Sequence, residues 1–200
     1  MDPAEAIVAQ KIALRDRLLT VRRRRPLLEV REHATAIASH LLETAEVRRA
    51  ATVAAYVSLS DEPGTGPALE QLQVLGRRVI LPVLLPDNDL DWALYTGPDT
   101  LVRAGRGLLE PVGRRLGVDG IATADVVLCP ALAVDRTGMR LGRGGGSYDR
   151  ALSRVPVGTF VCTPLYAGEI LEAVPAGAHD RRVTAAVTEQ GVTRFRPGPA

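Results

Sequence analysis

The stretch RLGRGGGSYDR, residues 140–150, gathers four glycines, three arginines and one carboxylate directly after an apolar run. Glycine reaches positive φ and lets the main chain approach a ligand closely. Arginine presents a planar fork of donors that matches phosphate oxygens. A helix starting at Ser147, with that residue as its N-cap, would add unpaired N–H groups, a natural anion site. These residue types suit a phosphate. Asp149 falls in the first turn of that helix, where a carboxylate either complements the dipole or ligates Mg²⁺ beside nucleotide phosphates. The stretch is not a Walker A loop, because it lacks GK[ST]. It is not a Rossmann fingerprint either, because Gly142-x-Gly144-x-Gly146 has the wrong spacing. Glycines alone would equally serve a long flexible turn.

The N-terminal helix offers a second set of cations. It opens on Asp2-Pro3-Ala4-Glu5, which combines an acidic N-cap, proline at the first helical position and glutamate three residues after the cap. Ile7, Leu14, Leu18 and Val21 form its expected apolar stripe. Lys11 and Arg15 are i,i+4 neighbours, and Arg22 falls in the same angular sector. Lys11 is the only lysine among 25 basic residues. The run RDRLLTVRRRRP (15–26) admits a rival reading as a basic helix that tracks nucleic acid. No RRM, KH or helix-turn-helix signature accompanies it.

The elements that must position these groups follow from periodicity. A second helix is expected over 28–48, with Val30, Ala34, Ile37 and Leu41 inward, after Pro26 ends the first. TVAAYVSL (52–59) and DVVLCPALAV (125–134) read as strands covered on both faces. A short helix over 68–76 ends at Gly76. RVILPVLL (78–85) and LDWALYT (90–96) read as an antiparallel pair across the PDND turn. A helix over 147–155 and strands at 156–162 and 182–188 complete the chain. This alternation predicts a single α/β domain over 1–200, a three-layer sandwich with a mainly parallel central sheet flanked by helices. Ligands in such sheets bind beyond the carboxyl ends of the strands, where the glycine stretch lies.

A net charge of +2 and 46% apolar residues are ordinary globular values. No apolar run reaches the length of a membrane span, and the first residues lack a signal-peptide pattern, so a cytoplasmic location is expected. Cys129 and Cys162 have no metal-ligand spacing and read as small buried hydrophobes. His33 and His40 read as partly exposed helix residues, His179 as a solvated or capping residue, and Trp92 as core or rim.

Taken together, these residues resemble the 5-formyltetrahydrofolate cyclo-ligase family, also called 5,10-methenyltetrahydrofolate synthetases. The resemblance runs nearly end to end. It covers KIALR (11–15), VSLSDE (57–62), Glu110-Pro111, VPAGAHD (174–180) and, most specifically, CPALAVDRTGMRLGRGGGSYDRAL (129–152). It implies an enzyme that uses ATP and Mg²⁺ to close the formyl group of 5-formyltetrahydrofolate onto N10, releasing ADP and phosphate. It implies ATP contacts from Lys11, Arg15, Arg140, Leu141, Gly142, Arg143, Gly144, Gly145, Gly146, Ser147 and Tyr148. Substrate contacts fall on Val57, Glu62, Arg143, Gly144, Gly145, Gly146 and Ser147, and Mg²⁺ ligands on Asp149 and Asp180. The expected partners are these two small molecules, with no nucleic acid or membrane, and the expected state is a monomer. A nucleotide-binding relative without turnover is the other rival. Four positions depart from the family pattern. Ser147 stands where many relatives have Tyr, Gly145 where some have Lys, Glu169 where Gln is common and Thr184 where Asp is usual.

Overall fold

In the computed structural model, which describes residues 2–195 (Pro3 by its backbone alone), the apolar runs pair into one central sheet. The helices are α1 (Pro3–Arg23), α2 (Leu27–Glu43), α3 (Ala45–Arg49), α4 (Gly66–Val74) and α5 (Ser147–Leu152). The strands are β1 (Thr52–Ala54), β2 (Arg78–Leu84), β3 (Leu90–Tyr95), β4 (Leu101–Arg103), β5 (Leu109–Pro111), β6 (Val126–Leu128), β7 (Ala133–Asp135), β8 (Arg140–Leu141), β9 (Phe160–Pro164), β10 (Ile170–Leu171), β11 (Ala185–Thr188) and β12 (Gly191–Arg194). Seven of them form the sheet, in the order β12-β11-β9-β6-β1-β2-β3. The inner pairings from β11 to β2 are parallel, and β12 and β3 add antiparallel edges.

Both faces of this sheet are covered, which is why its strands read as uninterrupted apolar runs. Successive residues alternate between two cores. Val53, Val79, Val126 and Cys162 join the core under α2 and α4. Ala54, Ile80, Val127 and Val161 join Trp92, Ile121 and Ala151 of α5 on the other face. Trp92, Cys129 and Cys162 are fully buried, and both thiols are free. His33 and His40 are half-buried on α2.

Several expected elements are shorter than the periodicity suggests. The 52–59 run leaves the sheet after the Ala55 N–H bonds to Ile80 O. The 125–134 run is two strands in two sheets. Its last ladder bond is from Cys129 N to Cys162 O, and Pro130, which has no N–H, ends the pairing. The chain then re-enters as β7, which joins β10 and β8 in a separate three-stranded sheet. The expected second helix breaks at Thr44, whose hydroxyl instead caps α3 through Val47 N. The N-cap of α5 is Gly146 in the left-handed region, so Ser147 is the first helical residue rather than the cap.

The helix start at Asp2 has the expected capping box. The orientation of α1 differs from the expected stripe, however. Leu18 packs on Leu132, Leu141 and Val174 over the small sheet. Val21 is 52% exposed, and Arg22 is 2% exposed. Arg25 lies with its guanidinium 4.0 Å from the centre of the Tyr166 ring. Two arginines of the basic run therefore face protein, while Arg17, Arg23 and Arg24 stay exposed. No described helix is long and apolar enough to cross a membrane.

The turn that feeds the glycine stretch is built on Asp135. Its Oδ1 accepts from Thr137 N (2.8 Å), Thr137 Oγ1 (2.7 Å) and Met139 N (3.1 Å), and its Oδ2 accepts from Val174 N (3.3 Å). Gly138 follows at φ 82°, where a Cβ would meet Val183 O at 2.3 Å. Burial pushes the Asp135 carboxyl upward, but these donors outweigh it and hold it below its ordinary value of 3.8. A depressed folded-state value stabilises the fold above the unfolded value and stops doing so as pH falls through the folded one. Asp135→Ala should cost about 2–4 kcal/mol, since buried donors lose their acceptor. Asp135→Asn should flatten the decline in stability below about pH 4 relative to wild type. Denaturant melts from pH 3 to 7 check both outcomes.

Candidate active site

The glycine loop stands at the carboxyl ends of the parallel strands, with a pocket on each side. On one side is a cavity of about 420 Å³. Its walls include Tyr56, Val57 and Glu62 after β1, Leu84 of β2, Pro130 and Ala131 after β6, and Arg143 to Tyr148. On the other side is a groove of about 500 Å³ lined by Lys11, Arg15, Arg140, Leu141, His179 and Asp180. Gly142, Gly144, Gly146, Arg140 and Asp149 border both.

Each functional side chain is held from outside its own segment. Arg15 donates from Nε to Gly142 O at 2.8 Å, and its guanidinium carbon lies 3.4 Å from where a Cβ on Gly144 would sit. Gly144 has φ 103°, so the loop needs glycine's conformation there, and a Cβ would sit in contact with the Arg15 guanidinium. Arg140, 5% exposed, donates to Pro130 O and to Asp149 Oδ1 (2.8 Å). Lys11 Nζ lies 2.5 Å from Asp180 Oδ2, which also accepts from Gly177 N at 2.6 Å. Burial opposes the charge on Asp180. The Gly177 N–H and then Lys11 more than offset this and hold the carboxyl below its usual range.

Asp149 and Asp180 lie 31 residues apart in the chain, yet they border the same groove. Arg181 N donates to Asp149 Oδ1 at 3.2 Å, which brings the 177–181 loop against α5. Among the described residues, the bonds to Asp149 use Oδ1 and those to Asp180 use Oδ2. One oxygen of each carboxylate is therefore left for another ligand. No group of three or more His, Cys, Asp or Glu suited to a metal is present among the described residues. Two carboxylates beside a cation-lined groove fit Mg²⁺, which takes one or two together with phosphates. They would not suit an ion that needs an all-protein cage.

On the other side, Glu62 is 4% exposed. Its Oε2 accepts from Leu59 N (2.8 Å) and its Oε1 from Arg143 Nε (3.0 Å). Arg143 Nη2 also reaches Asp61 Oδ1 at 2.6 Å. The loop carrying both acids is closed by reciprocal bonds between Ser58 and Thr65. Tyr148 Oη is buried with no partner among the described residues. Burial, then Cys129 and Glu62 nearby, push its phenol well above 10, so it stays protonated.

The structure places each residue expected to contact ATP, folate or Mg²⁺ on one or both of these pockets, whereas Arg22, expected on the line of Lys11 and Arg15, is buried against Glu169. Ser147, Tyr148, Arg143 and Gly145 border the apolar cavity, and Lys11, Arg15, Leu141 and Asp180 border the groove. Sequence reasoning missed Asp61, Tyr56 and Arg106, all of which lie at or beside the cavity. An acid adjacent to Glu62 was a visible signal for the first, but nothing local pointed to the others.

A profile of the 5-formyltetrahydrofolate cyclo-ligase family matches residues 7–189. A 5-formyltetrahydrofolate cyclo-ligase of Mycolicibacterium smegmatis is 43% identical over 72% of this chain and 77% of its own. The chain belongs to the 5-formyltetrahydrofolate cyclo-ligase family. The Escherichia coli K12 cyclo-ligase is 36% identical over 66% of this chain and 75% of its own. The solution structure of Aquifex aeolicus 5,10-methenyltetrahydrofolate synthetase superposes with a TM-score of 0.81 at 29% identity, covering 95% of each chain. The Mycoplasma pneumoniae synthetase shares the fold, with a TM-score of 0.71 at 18% identity over 90% of this chain and 98% of its own.

Two departures from the cyclo-ligase pattern have local explanations. Glu169 is 5% exposed and pairs through both oxygens with Arg22, at 2.7 Å each. Thr184 bonds Val161 N and O at the start of β11, remote from both pockets of the site.

Proposed function

We propose that this chain uses ATP to convert 5-formyltetrahydrofolate to 5,10-methenyltetrahydrofolate, releasing ADP and phosphate. The observation that carries this reading is the glycine loop with an apolar, carboxylate-bearing cavity on one side and a cationic groove on the other. A folate in the cavity and a triphosphate in the groove would meet across backbone that carries no side chains. The formyl oxygen attacks the γ-phosphorus and the bond to ADP breaks. N10 then attacks the formyl carbon and loses its proton, the carbon–oxygen bond breaks, and phosphate leaves. Phosphorylation is needed because an amide oxygen is a very poor leaving group. Such transfer depends on positioning and charge neutralisation rather than on a covalent protein intermediate.

Lys11, Arg15 and Arg140 suit the phosphate oxygens, with Arg15 also bracing the loop at Gly142 O. Asp149 and Asp180 would hold Mg²⁺, which supplies further neutralisation of phosphate charge when bound. Glu62, buried and acceptor-rich, suits the donor edge of a pterin ring. The protonated Tyr148 hydroxyl offers that side of the site a free hydrogen-bonding group.

The direct test mixes protein, 5-formyltetrahydrofolate, ATP and Mg²⁺ and follows the methenyl chromophore and ADP together. Appearance of neither product removes the reading. ATP binding without turnover would favour the inactive relative. Within the reading, the two pockets should separate kinetically. Lys11→Ala should raise KM for ATP about tenfold or more, the scale of a lost charged hydrogen bond, with KM for folate within twofold. Glu62→Gln should do the reverse. Steady-state kinetics with each substrate varied checks both.

A further inference from the structure

We propose that Arg106, at the tip of the β4–β5 hairpin, binds the carboxylates of the glutamyl tail of the folate, an inference that rests on the folate reading above. Three arginines border the apolar cavity. Arg140 is paired with Asp149, and Arg143 with Asp61 and Glu62. Arg106 has no carboxylate partner among the described residues, and its side chain is exposed at the cavity wall. It is the cation on this cavity whose charge the protein leaves uncompensated.

The backbone at this point adds an independent observation. Arg106 has φ 60° and ψ 20°, in the left-handed region. It is one of two non-glycine residues with positive φ among those described. Residues with a Cβ adopt that conformation at a cost, and glycine would adopt it freely. Glycines flank it on both sides, and Ala104 N and Leu108 O close the tip. A side chain is therefore carried at a tip position whose left-handed backbone glycine would adopt more easily, as its neighbour Gly107 does at φ 75°. Such positions gather at ligand clamps.

The surrounding walls suit the rest of the molecule. Leu108 and Leu109 follow after Gly107, and Leu84 is held beside them by its N–H bond to Glu110 Oε1 at 2.9 Å. Folates join a donor-rich pterin to a glutamate through an aromatic ring. The cavity offers a carboxylate at Glu62, an apolar wall and then an unpaired guanidinium. Arginine matches a carboxylate with two parallel N–H donors.

Calorimetric titration with 5-formyltetrahydrofolate and with the amide of 5-formyltetrahydropteroate, which has neither the glutamate nor a free carboxylate, tests this assignment without needing turnover. Wild type should prefer the glutamylated compound by on the order of tenfold, the scale of a charged hydrogen-bonded pair. Arg106→Ala should abolish that preference and leave affinity for the pteroate amide within twofold. Arg106→Lys should restore part of it, and 0.5 M salt should narrow it in wild type, because an exposed pair is screened. An undiminished preference in Arg106→Ala would overturn the inference. So would an equal loss for both compounds, since Arg106 would then be a wall of the ring pocket or a support of the hairpin. Wild-type protein that binds neither compound would overturn the folate reading, and this inference with it.

Discussion

Asp149→Asn is expected to lower kcat by on the order of 10²-fold or more while leaving the melting temperature within a few degrees. That is the scale observed when a preorganised charge is removed from a transition state. The side chain keeps its size. The amide oxygen can still accept from Arg140 and from the Arg181 N–H, the two bonds that Asp149 Oδ1 makes now. What disappears is the negative charge that would hold Mg²⁺ against the phosphates. Raising Mg²⁺ should therefore recover part of the rate. Asp180→Asn should act in the same direction, with an added effect through Lys11, which it would leave unpaired. If both carboxylates act through one ion, the double variant loses less than the product of the single losses. Rates measured across a Mg²⁺ titration decide the matter. Full activity of Asp149→Asn at limiting Mg²⁺ would return this carboxylate to the role of an acid at a helix start.

The second large effect concerns stability. Arg22→Met should cost about 3–5 kcal/mol, because it strands the Glu169 carboxylate in the interior. Arg22 is 2% exposed, its Nε and Nη2 reach the two Glu169 oxygens, and Nη2 also donates to Ala131 O at 2.8 Å. Burial alone would ease the proton off this guanidinium, but the hydrogen bond and charge of Glu169 outweigh that and hold the pKa above its ordinary value. Glu169→Gln leaves the Arg22 charge inside with only neutral acceptors. The double variant, Arg22→Met with Glu169→Gln, should be more stable than the sum of its parts predicts, since no charge is then left unpaired. Denaturant unfolding of the four proteins measures the coupling. Additive losses would mean that Arg22 acts through packing and Ala131 rather than through Glu169. Because Ala131 borders the apolar cavity, Arg22→Met should also raise KM for the folate more than for ATP.

The sequence alone carried the parts of this protein that depend on residue type at short range. The capping box at Asp2, the antiparallel β2–β3 pair and the strands covered on both faces were all readable, because backbone preferences and burial periodicity are local properties. The glycine–arginine loop was readable for the same reason. Conformational freedom and a guanidinium's match to anions reside in the residues themselves. The Glu169 departure was visible too, but its meaning was not. Tertiary structure decided what depends on distant partners. Val21 and Arg22 are neighbours in a basic run, and helical periodicity favoured burying the valine. The arginine goes inside because Glu169, 147 positions away, compensates its charge. The run at 125–134 is uniformly apolar because both of its halves are buried, so hydrophobicity could not show that Pro130 splits it between two sheets. The convergence of Asp149 with Asp180, and the unpaired Arg106 at the cavity wall, arise from loops that meet only when the strand ends are aligned. Spacing along a chain does not encode such meetings, because they depend on the packing of the whole sheet.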